Sequence, residues 1–152
     1  AASVTAQNKE QYAIDDALLA SLKERERQAI KIAENDGDIA GAIKALSAVI
    51  DDCPHYSSAY NNRAQAYRLE GKEAEALDDL DSAIRYAQSD DTLGQAYTQK
   101  AIILRAKGDQ DGAFYCFSQG AKYGNEVAKM AAAKENPYAK LCGKIVSESM
   151  RQ

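Results

Sequence analysis

The 152-residue chain carries a formal charge of −4, is 45% apolar and 28% charged, and holds many alanines with only 2 Phe, 2 Pro and no Trp. That size leaves room for one domain or a short repeat array, and the acidic balance argues against a general binder of nucleic acid or anionic membrane. No stretch approaches the roughly 20 apolar residues that cross a bilayer, and few β-branched runs favour packed helices over sheets.

The opening residues Ala1 to Glu10 show neither a basic nor an apolar leader segment. Residues 1–14 are read as an N-terminal extension with only partial order. Ile14, Leu18 and Leu22, followed by Ala29, Ile30 and Ala33, recur at helical spacing and predict a helix from near Asp15 to about Glu34. A turn at Gly37-Asp38 leads into a second helix over 39–52, which stops at Cys53-Pro54. The same pattern predicts helices over 58–70 and 73–87, then over 92–107 and 110–123, with a longer polar loop at 88–92. Gly124-Asn125 opens a helix over 126–135. Asn136-Pro137 breaks it, and 138–150 reads as a final helix with Pro137 in its first turn.

These elements repeat. The phrase Ala59-Tyr60-Asn61-Asn62-Arg63-Ala64-Gln65-Ala66-Tyr67, closed by Gly71-Lys72, Ala76 and Leu80, returns as Ala96-Tyr97, Ala101, Gly108-Asp109, Ala113 and Phe117. A half-copy precedes it at Gly37-Asp38, Ala42, Leu46 and Pro54. Each glycine ends a helix where a left-handed residue is required. Ala64 and Ala101 are small where the second helix of a pair crosses, Ala42, Ala76 and Ala113 answer from that helix, and Ala83 and Gly120 admit the next pair. Tyr60, Tyr67 and Tyr97 are read as packing between pairs.

The phrase resembles the tetratricopeptide repeat: small-aromatic-x-x-x-small, then Tyr or Leu, a glycine turn, Ala and a large apolar residue. The resemblance covers about Lys23 to Tyr123. It implies an all-α fold, a right-handed solenoid of three helix-turn-helix repeats (about 23–56, 57–91 and 92–124) with C-terminal capping helices in 125–152. The first repeat departs from the pattern, with Glu26 where an aromatic is usual. Ser58 to Ala66, together with the tail Asn136-Pro137-Tyr138-Ala139, is also similar to small three-repeat members of the family that bind Hsp70.

In such arrays the first helix of each pair lines a concave face. The register places Arg27, Lys31, Asn62, Gln65, Arg68, Gln99, Ile102 and Arg105 there, four of them cationic and none acidic. A basic, amide-rich groove on an acidic chain fits an extended peptide bearing carboxylates. Some family members grip the acidic C-terminus of Hsp70 or Hsp90 with a carboxylate clamp: Lys and Asn on the first helix, Asn on the third, Lys and Arg on the fifth. By position Arg27 takes the first Lys site and Asn62 matches the second Asn. Lys31 replaces an Asn, and Gln95 and Gln99 stand where Lys and Arg belong, with Arg68 and Arg105 a turn further along.

Nothing in the sequence composes an active site. His55 beside Pro54 and Cys53 has no second ligand pair or supporting acid at a useful spacing. Cys53, Cys116 and Cys142 cannot pair fully and match no zinc pattern, which points to reduced thiols and a cytoplasmic setting. The cluster Glu73, Glu75, Asp78, Asp79 and Asp81 lacks calcium-loop spacing and reads as a solvated outer face. The expectation is therefore a non-enzymatic, cofactor-free, monomeric adaptor or co-chaperone that binds Hsp70 or another protein with an acidic extended segment. The alternative is a self-associating structural subunit docking through Tyr138, Leu141, Ile145 and Met150.

Overall fold

The computed structural model describes residues 2–135, which form eight helices and no strand: α1 (Val4–Gln11), α2 (Asp16–Asp36), α3 (Ile39–Asp52), α4 (Ser57–Leu69), α5 (Glu73–Tyr86), α6 (Asp90–Ala106), α7 (Gln110–Lys122) and α8 (Glu126–Glu135). The final helix expected over 138–150, its apolar stripe, Cys142 and the Asn-Pro-Tyr-Ala tail lie outside the described residues.

Each helix from α2 to α8 packs on its chain neighbour, while α2, α4, α6 and α8 also touch one another in turn. The first helices of the pairs thus form one layer. The turns inside the pairs close on Gly37, Gly71 and Gly108, with φ of 66°, 74° and 87°, and Gly124 repeats the device before α8 at φ 91°. After Gly71, Gly108 and Gly124 the next residue's N–H reaches a carbonyl five residues back, as in Lys72 to Tyr67 at 2.9 Å, and after Gly37 Asp38 N–H reaches Ile32 O, six back, at 3.2 Å. This satisfies carbonyls that the helix end would otherwise strand.

The small residues sit where the repeat spacing places them. Ala42, Ala64, Ala76, Ala83, Ala101 and Ala113 are all essentially inaccessible, around the fully buried Leu22, Leu46, Leu80, Leu93 and Phe117. Gly120 on α7 is the glycine at which neighbouring helices come closest. A Cβ there would lie 2.6 Å from Thr98 Oγ1 and 2.8 Å from Ala128 Cβ, in the seam where α6 and α8 meet α7. Thr98 cannot easily yield, because its hydroxyl donates to the Gly94 carbonyl at 2.7 Å. We expect Gly120→Ala to cost about 1–3 kcal/mol, read as a lower urea midpoint, despite alanine's better helix propensity; a stabilised variant would contradict this packing.

Two features differ from the sequence expectation. The extra residues of the third repeat do not form a longer loop. They extend α6 to 17 residues against 13 in α4. Ser89 caps the added turn by accepting from Thr92 N at 3.1 Å, and Asp90 and Asp91 favour its positive end.

The N-terminal extension carries helix α1, bonded to the end of α5. Asn8 of α1 donates its side-chain amide to the carbonyls of Arg85 at 3.0 Å and Ala87 at 2.8 Å, Gln88 Nε2 donates to the Tyr12 carbonyl at 2.6 Å, and Thr5 donates to Asp90. Helix α5 ends without a glycine, so its last carbonyls need donors from elsewhere. Asn8 and Ser57, which donates to Ala83 O at 2.6 Å, supply them. That role gives α1 a fixed seat although it buries little apolar surface.

Candidate functional site

The layer formed by α2, α4, α6 and α8 carries a run of adjoining cavities. One of about 80 Å³ lies between α2, α3 and α4, with Ala29, Asn62, Gln65 and Leu69 in its wall. Next, about 370 Å³ opens between α4 and α6 over Gln65, Arg68, Leu69, Ile102 and Ala106. A further 360 Å³ continues to α8 over Gln65, Arg68, Gln99, Ile102 and Val127. Gln65 borders all three, so they form one groove. Its apolar points are Leu69 and Val127, 68% and 58% exposed.

The structure brings Gln65, Arg68, Gln99 and Ile102 together here, with Asn62 beside Gln65 in the first cavity, while Arg27, Lys31 and Arg105 line none of the three. Arg68 is half-buried and touches Gln99 Oε1 at 3.4 Å; it joins no ion pair among the described residues. Gln99 donates to the backbone and side-chain oxygens of Asn61 at 3.2 and 2.8 Å, which fixes its orientation. Arg105 pairs with Glu135 on α8 at 2.8 Å and lies over the Phe117 ring. Arg27 is held by Glu24 one turn back at 2.6 Å, a contact that raises the arginine's pKa and lowers the glutamate's. Lys31 is exposed on α2.

Asn62 departs furthest from expectation. Its amide donates at 2.5 Å to Glu26 on α2, so it is committed inside the protein. Glu26 is only 6% exposed and also accepts from Ser58 Oγ at 2.5 Å and from the Tyr56 hydroxyl. Burial first, and the carboxylate beside it second, push the Tyr56 phenol above its ordinary range. Here Glu26 replaces the aromatic of the usual repeat, and three polar residues at the start of α4 and just before it have adapted to receive it. That irregularity in the motif was the signal by which the sequence could have revealed the cluster.

Four of the five clamp positions are therefore engaged within the protein, Asn62 with Glu26, Arg27 with Glu24, Gln99 with Asn61, and Gln95 with Asn61 and Asp91, while Lys31 stays exposed. Carboxylates also border the groove, Glu34 at the first cavity and Glu73 at the second, where the expected basic, amide-rich lining held none. The acidic cluster of α5 is likewise not wholly solvated. Glu73, Glu75 and Asp78 are exposed, but Asp79 is buried against Arg63, and Asp81 pairs with Lys100. Cys53 and Cys116 are free and buried, and burial raises the Cys116 thiol. Among the described residues no three His, Cys, Asp or Glu side chains are grouped to hold a metal ion, and no helix is long and apolar enough to cross a membrane.

Helix pairs closed on left-handed glycines, packed through alanines and opening one layer as an amide-lined groove, define a tetratricopeptide-type repeat protein, a class that works by binding other proteins. No protein-family model matches the chain. Tetratricopeptide repeat protein 36 of Xenopus tropicalis is 39% identical over 137 residues, covering 90% of this chain and 67% of that protein. The human protein of that name is 33% identical over 147 residues, 96% of this chain and 77% of its own length. That of Caenorhabditis elegans is 43% identical over 124 residues, 81% and 69% respectively. The chain belongs to the tetratricopeptide repeat protein 36 family.

Proposed function

We propose that the chain is a cytoplasmic adaptor or co-chaperone that takes an extended segment of a partner protein along the α4/α6/α8 groove. The observation that carries this reading is the continuity of Gln65, Arg68, Gln99 and Ile102 along one open channel. Gln65 and Gln99 would bond the peptide backbone, Leu69, Ile102 and Val127 would take apolar side chains, and Arg68 would meet a carboxylate. Hsp70, or another protein with an acidic segment, is the partner that the motif resemblance implies. Arg27, Lys31 and Arg105 would act at the rim, and Asn62 would serve indirectly by holding α4 against α2.

The test is a calorimetric titration with intact Hsp70 and with Hsp70 lacking its acidic tail. Tail-dependent binding is expected, weakened about tenfold or more by Arg68→Glu. Arg105→Glu should weaken it less, because that guanidinium is already engaged by Glu135. Unchanged affinity in Arg68→Glu would remove the groove from consideration. Binding that survives tail loss would place the contact elsewhere on the chaperone. The second reading, a self-associating subunit, draws on Met130, 75% exposed on α8. Light scattering that finds a monomer at every concentration would eliminate it.

A further inference from the structure

A separate cavity of about 450 Å³ lies between α1, the first half of α2 and the starts of α4 and α6. It shares no residue with the groove. Its floor is Glu26. The three donors to that carboxylate, from Tyr56, Ser58 and Asn62, are all neutral, and no cation lies within ion-pair distance among the described residues. A carboxylate offers about four acceptor positions; Ser58 and Asn62 take Oε1 and Tyr56 takes Oε2, which leaves one position on Oε2 of a residue that lines the cavity. Burying an anion without a counter-charge costs several kcal/mol, and a bound cationic group would offset that cost.

The mouth has the opposite sign. Lys9 from α1 and Lys23 from α2 line it, both exposed and neither in an ion pair among the described residues. Lys23 stands three residues before Glu26 on the same helix, so their Cβ atoms are about 5–6 Å apart. Half-buried Ile14 and Leu19 supply an apolar wall. A lone ammonium entering here would meet two lysines, and a lone carboxylate would meet Glu26. A molecule carrying an ammonium and a carboxylate on the same carbon satisfies Glu26 and the two lysines together.

We propose that this cavity binds a small zwitterion of the α-amino-acid class, with its ammonium on Glu26, its carboxylate between Lys9 and Lys23, and an apolar side chain against Ile14 and Leu19. The volume falls within the range of small-molecule sites. Because α1 supplies Lys9 and the α1–α2 link supplies Ile14, the N-terminal segment is part of the site rather than an appendage.

The test is calorimetry on the whole chain with each proteinogenic amino acid in turn. Isoamylamine and 4-methylpentanoate serve as the leucine analogues that lack one charge. An apolar amino acid such as leucine should saturate with a Kd between about 10 μM and 1 mM, and each single-charge analogue should bind at least about tenfold more weakly. Glu26→Gln should weaken leucine by a similar factor, with helicity checked by circular dichroism. The exposed pair Lys9→Glu and Lys23→Glu, which leaves the buried cluster intact, should do the same. No heat from any amino acid would overturn the proposal. So would isoamylamine binding as well as leucine, or full affinity in the double lysine variant.

Discussion

Replacing Asp79 with alanine is expected to lower the unfolding free energy by about 3–5 kcal/mol, as much as a large core truncation. Asp79 on α5 receives Arg63 of α4 through two parallel hydrogen bonds, Nε to Oδ2 at 2.8 Å and Nη2 to Oδ1 at 2.7 Å. The side chains are 7% and 18% exposed. Ser47 of α3 lies 3.0 Å from Nη1, and the rings of Tyr60 and Tyr67 flank the guanidinium at 5.8 and 5.6 Å. Three consecutive helices are tied at this point. The geometry favours the charged arginine, whose pKa is raised by the Asp79 contact against the opposing effect of burial.

Losing only the carboxylate strands a buried cation, which is why the single substitution is costly. Replacing the pair with Met at 63 and Leu at 79 should cost much less than Asp79→Ala, since neither charge then remains to be buried. A double-mutant cycle in urea reads this as strong non-additivity. If Asp79→Ala shifts the midpoint no more than an exposed aspartate such as Asp78, the buried pair does not exist in solution.

The second large effect is expected at Glu26. Glu26→Ala removes the acceptor from Tyr56, Ser58 and Asn62 together and should destabilise by about 2–4 kcal/mol. The lower end applies if water from the adjoining cavity reaches the stranded donors. Tyr56→Phe removes one donor and should cost about 1–1.5 kcal/mol. Glu26→Gln keeps one oxygen acceptor and should fall between the two. Thermal unfolding followed by circular dichroism is sufficient. A Glu26→Ala protein melting with the parent would mean that the cluster contributes nothing to joining α2 and α4.

Both clusters arise from residues whose types were visible in the sequence and whose partners were not. Arg63 belongs to a repeated phrase, and Asp79 looks like one more charge in an acidic run on α5. Helical spacing along α5 puts Ala76, Leu80 and Ala83 in the core, and Asp79, three residues after Ala76 and four before Ala83, shares that face. Only the crossing of α4 on α5 supplies the cation that makes its burial tolerable. Glu26 lies in the buried stripe of α2 with Leu22 and Ala29. A carboxylate in that stripe is unexplained until α4 brings its donors alongside.

The groove was partly legible for the same reason. Period and register put Gln65, Arg68, Gln99 and Ile102 on one layer, and the four line one cavity, because helix spacing fixes which residues share a face. Register cannot say which of the polar side chains on that face are already occupied. Glu24 and Arg27 could have been paired from their i, i+3 spacing. The bonds of Asn62 to Glu26, Gln99 to Asn61 and Arg105 to Glu135 span 30 to 38 residues, and no local rule reports them.

By itself, then, the sequence determined the helix pairs, their glycine turns and the alanine contacts between them, since each follows from spacing and backbone chemistry within one or two turns. The tertiary structure alone decided that α1 is seated as a donor to the bare end of α5, that Asn62 and Gln99 are bonded across the fold to Glu26 and Asn61, and that Glu26 lines the same cavity as Lys9 and Lys23. Those features depend on unsatisfied hydrogen bonds and charges finding partners across the fold. Such demands are visible along the chain, but their resolution is a property of which helices end up in contact.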